Sequence, residues 1–146
     1  MGGGGNSSPL LTLMILTVGT FDIPHMGHAS FLRRLSELGD VVVGVLSDAF
    51  VAAAKGPPVY NERERLAAVR TLGYQAVVIP GDPDRIQHPL ELGGIDFLAV
   101  GLDWFGDKYL DRLGMTVDEL QAGNVGLIFV PYTETISTSD IRKRLR

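Results

Sequence analysis

Five continuous apolar runs, rich in β-branched residues and bounded by turn residues, constrain this chain more than any other feature. They are LLTLMILTV (Leu10–Val18), VVVGVLS (Val41–Ser47), AVVIP (Ala76–Pro80), DFLAVG (Asp96–Gly101) and VGLIFVP (Val125–Pro131). Apolar side chains at successive positions, without polar alternation, mark strands covered on both faces. Helical patterns fall between them. His28–Leu38 carries Phe31, Leu32, Leu35 and Leu38 at helical spacing, with Gly39 as its terminator. Glu62–Leu72 sets Leu66, Val69 and Leu72 on one face. Asp84–Leu92 is weakly helical and Pro89 is expected to break it, while Ser139–Arg146 reads as a short helix opened by the capping residues STSD. AFVAAAKGPPVYN is expected to be a small-residue loop stiffened by Pro57 and Pro58. Strands buried on both faces and interleaved with helices predict a single α/β domain built on a five-stranded, parallel, doubly wound sheet.

Composition narrows the function classes. The chain has 146 residues, enough for a real core, and 45% of them are hydrophobic. Its formal net charge of -4 argues against sequence-independent binding of nucleic acid, which depends on Lys/Arg contacts to phosphates. A local anion site needs only a few placed cations and is not excluded. Cysteine is absent, which removes disulfides, thiolate metal sites and cysteine catalysis, and fits a cytoplasmic location. No apolar run approaches the ~20 residues of a membrane span. Residues 1–9, MGGGGNSSP, read as a flexible leader outside the fold, leaving residues 10–146 as the domain.

Ligands of doubly wound sheets sit outside the carboxyl ends of the strands. After the first strand comes Gly19-Thr20-Phe21-Asp22, then His25 and His28, three apart at the mouth of a helix. That spacing puts both imidazoles on one face. Gly27 lets backbone approach a ligand, and the helix N-terminus offers unpaired N–H groups and a positive dipole end, which suits phosphate. A metal is the weaker reading of the pair, because no third ligand lies at compatible spacing. Lys55 follows the second strand and is the only lysine in the first hundred residues, placed to clamp a polyphosphate. Arg63 and Arg65 open the next helix; one is expected to face the site and the other solvent, and spacing alone does not choose. Asp103 and Trp104 follow the fourth strand in GLDW. After the fifth, Ser137, Thr138 and Ser139 can cap a helix or cradle phosphate, and Arg142 stands at a helix N-terminus where only an anionic partner offsets the dipole.

These residues carry a resemblance. GTFDIPHMGH resembles the GTFD…HxGH signature of the nucleotidyltransferase α/β-phosphodiesterase superfamily, and ISTSDIRKRL resembles its C-terminal ISTSxIR-type signature. The chain is most similar to the small cytidylyltransferases typified by glycerol-3-phosphate cytidylyltransferase, over roughly residues 13–146. The resemblance implies a Rossmann-like nucleotidyltransferase fold and transfer of a nucleoside monophosphate from CTP, or another triphosphate, to a small phosphorylated metabolite, with pyrophosphate released. It implies that His25 and His28 contact the triphosphate and the charge developing at the α-phosphoryl. Lys55 would neutralise phosphates across the line of attack, and Arg63 would hold the acceptor's phosphate. Gly19, Thr20, Phe21 and Gly27 belong to the nucleotide-binding turn. Ser137, Thr138 and Arg142 would bind the β- and γ-phosphates, and Asp103 with Trp104 would bound the nucleoside. Mg²⁺ would accompany the triphosphate. A homodimer is implied; nucleic acid and membrane are not.

Three departures bear on the base and the acceptor. Tyr132 stands where the family commonly has arginine, and Leu102 stands where an acidic residue is common. The connection Lys108–Asn124 is longer than usual and is expected to fold over the acceptor pocket. Two alternatives therefore stay open: an adenylyltransferase acting with ATP on a sugar phosphate, pantetheine phosphate or mononucleotide, and a non-catalytic nucleotide-binding module.

Overall fold

The alternation of strand and helix becomes a wholly parallel sheet. The computed structural model describes residues 12–22, 26–101 and 106–130. Its strands are β1 (Met14–Gly19), β2 (Asp40–Leu46), β3 (Gln75–Ile79), β4 (Phe97–Gly101) and β5 (Gly126–Val130), in spatial order β3-β2-β1-β4-β5. Each neighbouring pair is parallel. The chain builds outward from β1 to β3, then returns to lay β4 on the other side of β1, so the order reverses between β1 and β4.

Helices cover both faces, as parallel strands require. Against one face lie α1 (Met26–Ser36) and α3 (Glu62–Thr71), where Phe31, Leu32, Leu35 and Val69 join Ile15, Val41, Val43 and Val45 in one buried cluster. Against the other lie α2 (Asp48–Lys55), α4 (Gly106–Leu113) and α5 (Val117–Ala122). There Phe50, Val51, Tyr109, Leu110, Leu113 and Leu120 meet Leu16, Val18, Leu46, Ile79, Leu98 and Val100. The odd–even split along β1, with Ile15 on one side and Leu16 on the other, is the period-two alternation of a strand.

Four local expectations are corrected. The segment after β2, expected to be a loop, opens with helix α2: Ser47 caps it by accepting from the Phe50 N–H at 3.3 Å, and Phe50 and Val51 turn into the core. The run Ala52–Ala54, with the highest intrinsic helix propensity, carries it on to Lys55. Helix α1 stops at Ser36, so Leu38 is exposed instead of buried with Leu35. Gly39 is needed for close approach, since a Cβ there would collide with the Leu13 carbonyl oxygen that accepts from the Asp40 N–H. Pro89 opens the short 3-10 turn Pro89–Leu92 instead of ending a helix, and Asp84–Gln87 lies outside any helix. Finally, Leu72, expected on the buried face of the helix now seen as α3, is exposed; the connection after β4 packs on the sheet in its described part. Tyr109, Leu110, Leu113, Met115 and Leu120 are buried against the sheet, and Thr116 with Glu119 forms the capping box that starts α5.

Candidate functional site

The turn leaving β1 is strained and buried. Gly19 ends the strand, and Phe21 adopts φ +53°, a left-handed conformation that costs a non-glycine residue of order 1 kcal/mol. Its ring folds back: a Cβ on Gly19 would lie 3.0 Å from the Phe21 Cε2, so a larger residue would have to push the ring aside by a few tenths of an ångström. The Phe21 ring then meets the imidazole of His28, with centroids 5.2 Å apart and planes tilted by 48°. His28 is the third residue of α1, in the first turn, where backbone N–H groups lack intrahelical acceptors. Phe21 thus fixes one edge of a half-buried histidine at the N-terminus of a helix, beyond the carboxyl end of a central strand. Such a group can donate to an anion held by the same helix end.

Asp22, 7% exposed, is the next residue of the same turn. Its carboxylate accepts from the Val59 N–H and the Tyr60 N–H, each at 2.8 Å, tying the β1 turn to the segment that enters α3. Asn61 caps α3 reciprocally with Glu64. This entry positions Arg65, which is 1% exposed. Its guanidinium donates to the Thr20 carbonyl at 2.8 Å, the Leu46 carbonyl at 2.8 Å, the Tyr60 carbonyl at 2.9 Å and Asp48 Oδ1 at 2.7 Å. One planar fork therefore joins the ends of β1 and β2, the first turn of α2 and the entry to α3. Glu62 Oε1 accepts from the Asp48 N–H, and Ser47 Oγ donates to the Gly81 carbonyl, extending the bracing to the end of β3. A cavity of ≈ 310 Å³ lies alongside, lined by Asp22, Tyr60, Glu64, Arg65 and Ala68. Two carboxylates and a guanidinium already paired with Asp48 make that cavity a poor place for phosphate.

The sequence-derived site residues separate accordingly. Gly19, Thr20, Phe21 and His28 come together at the β1–α1 turn, with Gly27 in the first turn of α1. Lys55 closes α2 beyond β2. Of the two arginines opening α3, Arg65 is the inward one and Arg63 is exposed. His25, Asp103, Trp104, Ser137, Thr138 and Arg142 lie outside the described residues. The bracing roles of Arg65 and Asp22 were not assigned from sequence. The available signal for Arg65 was its place four residues before Val69, on the buried stripe of α3.

A family model described as Cytidylyltransferase-like matches residues 16–144. The chain is 37% identical over 129 residues to the ethanolamine-phosphate cytidylyltransferase of Dictyostelium discoideum, covering 87% of this chain and 35% of that protein. It is 35% identical over 136 residues to the bifunctional protein HldE of Aeromonas salmonicida, covering 91% of this chain and 28% of the relative. The chain therefore spans about a third of the length of these two relatives. With the glycerol-3-phosphate cytidylyltransferase of Bacillus subtilis it shares 29% identity over 138 residues, covering 90% of this chain and 95% of the relative. Among solved structures, the lipopolysaccharide core biosynthesis protein from Thermoplasma volcanium GSS1 superposes with a TM-score of 0.63 at 21% identity, covering 85% of this chain and 98% of that one. That likeness carries the fold.

Proposed function

This chain belongs to the cytidylyltransferase-like family, and from that premise we propose that it transfers CMP from CTP to a small phosphorylated metabolite. A phosphate oxygen of the acceptor attacks the α-phosphorus of CTP, a new P–O–P bond forms, the α–β bond breaks and pyrophosphate leaves. The observation that carries this reading is His28, braced by Phe21 in the first turn of α1 at the carboxyl edge of β1. Donors fixed beforehand at the place where charge develops are the main resource for such a transfer. In this reading His25 and His28 meet the α-phosphoryl oxygens, and Lys55 neutralises charge across the attack line. Exposed Arg63 receives the acceptor's phosphate. Ser137, Thr138 and Arg142 cradle the β- and γ-phosphates, and Asp103 with Trp104 bounds the nucleoside.

Magnesium enters with the triphosphate in this account. Among the described residues no group of three or more His, Cys, Asp or Glu side chains could hold a metal ion, and Asp22, nearest the turn, is committed to two backbone N–H groups. When bound, the ion would neutralise phosphate charge; Lys55 and the helix end would orient the same phosphates. Among the described residues no helix is long and apolar enough to cross a membrane. A cytoplasmic homodimer completes the proposal, with the assembly checked by light scattering.

The test is pyrophosphate release with each of the four nucleoside triphosphates against a panel of phosphorylated acceptors. CTP-dependent release supports the proposal. Release with ATP alone makes the chain an adenylyltransferase. Triphosphate binding without release across the panel makes it a non-catalytic module.

A further inference from the structure

The sheet is unzipped at its point of reversal. β1 pairs with β2 through every residue from Met14 to Gly19, and β4 pairs with β5 through every residue from Phe97 to Gly101. Between β1 and β4 the ladder covers only Ile15↔Phe97 and Leu16↔Leu98. Beyond that point, toward the carboxyl edge, the two central strands part. Successive residues of a parallel strand turn their N–H and C=O groups to alternate sides. The Met14 carbonyl faces β4, accepting from the Asp96 N–H, so Val18, four residues on, also directs its polar groups toward β4. There the phenol of Tyr109 takes the place of the strand: its oxygen accepts from the Val18 N–H at 3.1 Å and donates to the Val18 carbonyl at 2.9 Å. Thr17 Oγ1 reaches across the same gap to the Ala99 carbonyl at 3.0 Å. Tyr109 is 6% exposed and comes from α4, among Val18, Val100, Leu110 and Leu113.

A buried N–H and C=O left without partners in this gap would drive the strands to rejoin or the turn to shift. We propose that Tyr109 is a positioning residue for the nucleotide: by satisfying Val18 from the side, it keeps β1 and β4 apart and opens the crevice where the strand order reverses. Crevices of this kind, outside the carboxyl ends of strands at a reversal, are where doubly wound sheets bind nucleotides. Tyr109 acts through Val18 on Gly19 to Asp22, the turn that braces His28. The proposal rests on the nucleotidyl-transfer reading above for the identity of the ligand.

The test compares Tyr109→Phe with Leu120→Val, a substitution in the same core cluster on α5, remote from Val18 in sequence and outside the proposed site. The dissociation constant for CTP with magnesium is measured by calorimetry, which needs no turnover, and folded fractions are matched by circular dichroism. A variant whose open crevice is populated only a tenth of the time binds about tenfold more weakly. The expected result is a loss of ~10-fold or more in Tyr109→Phe, accelerated amide exchange at Val18 and Gly19, and wild-type affinity in Leu120→Val. Equal affinities in the two variants overturn this proposal and leave the function standing. Wild-type protein that binds none of the four triphosphates overturns both. If Tyr109→Phe does not fold, Tyr109→His, which keeps a polar ring edge but is too short to serve both peptide groups of Val18, replaces it: a ~10-fold loss relative to Leu120→Val supports the proposal, and equal affinities overturn it.

Discussion

Arg65→Ala should be among the most destabilising single changes on the carboxyl edge of this sheet. The guanidinium is fully buried and donates to three carbonyls, those of Thr20, Leu46 and Tyr60. Each lost bond to a carbonyl left behind in the interior costs roughly 1 kcal/mol. The Asp48 contact adds little, because that carboxylate is 40% exposed and solvent screens it, so its share is at most about 1 kcal/mol. The expected loss is ~3–4 kcal/mol. For a domain of this size that corresponds to a melting temperature lower by roughly 6–16 °C. Urea unfolding followed by far-ultraviolet circular dichroism measures it at constant m. Arg65→Lys keeps the charge but not the fork and should recover less than half of the loss. Asp48→Asn should cost no more than about 1 kcal/mol. A loss below ~1 kcal/mol in Arg65→Ala, or one equal to that of Asp48→Asn, would refute the claim that one side chain braces four segments.

Three further outcomes follow from the same geometry. His28→Ala should lower the rate of pyrophosphate release by ~10²–10³-fold, as when a transition-state donor is removed, while the unfolding midpoint stays close to that of the parent; near-normal turnover contradicts the role given to His28. Gly39→Ala should cost ~1–3 kcal/mol in denaturant unfolding, because its Cβ meets the Leu13 carbonyl oxygen that accepts from Asp40. Asn61→Ala removes the cap of α3 and half of its box with Glu64, and should cost about 1 kcal/mol in the same assay.

The sheet is legible in the sequence because strands covered on both faces carry apolar residues at successive positions, and the edge strand β5 keeps that pattern although Phe129 is exposed. Helix α2 is hidden by Pro57 and Pro58, which signal a loop, although Ser47, Phe50, Val51 and the alanine run already write a capped helix with one apolar side. The capping box of α5, Thr116 and Glu119, is equally visible in TVDE but sits in a stretch that reads as an insertion. Arg65 escapes because counting apolar residues skips a charged side chain, and Leu72, counted in its place, is exposed. Tyr109 cannot be found from spacing at all. Its partners are the peptide groups of Val18, 91 positions away, and a need for them arises only once β4 parts from β1. Local signals give elements; the bracing of a site depends on which strand ends the topology leaves unpaired.

The central claim is that the β1–α1 edge serves transfer of a nucleoside monophosphate. Its most direct test is to follow label from CTP carrying ³²P at the α position, and separately at the γ position, in the presence of an accepted phosphorylated metabolite. The α-label should move into an acceptor-linked diester of pyrophosphate, and the γ-label should appear only in pyrophosphate. Transfer of γ-label to the acceptor, or conversion of CTP to CDP and inorganic phosphate without an acceptor-linked product, would contradict the claim.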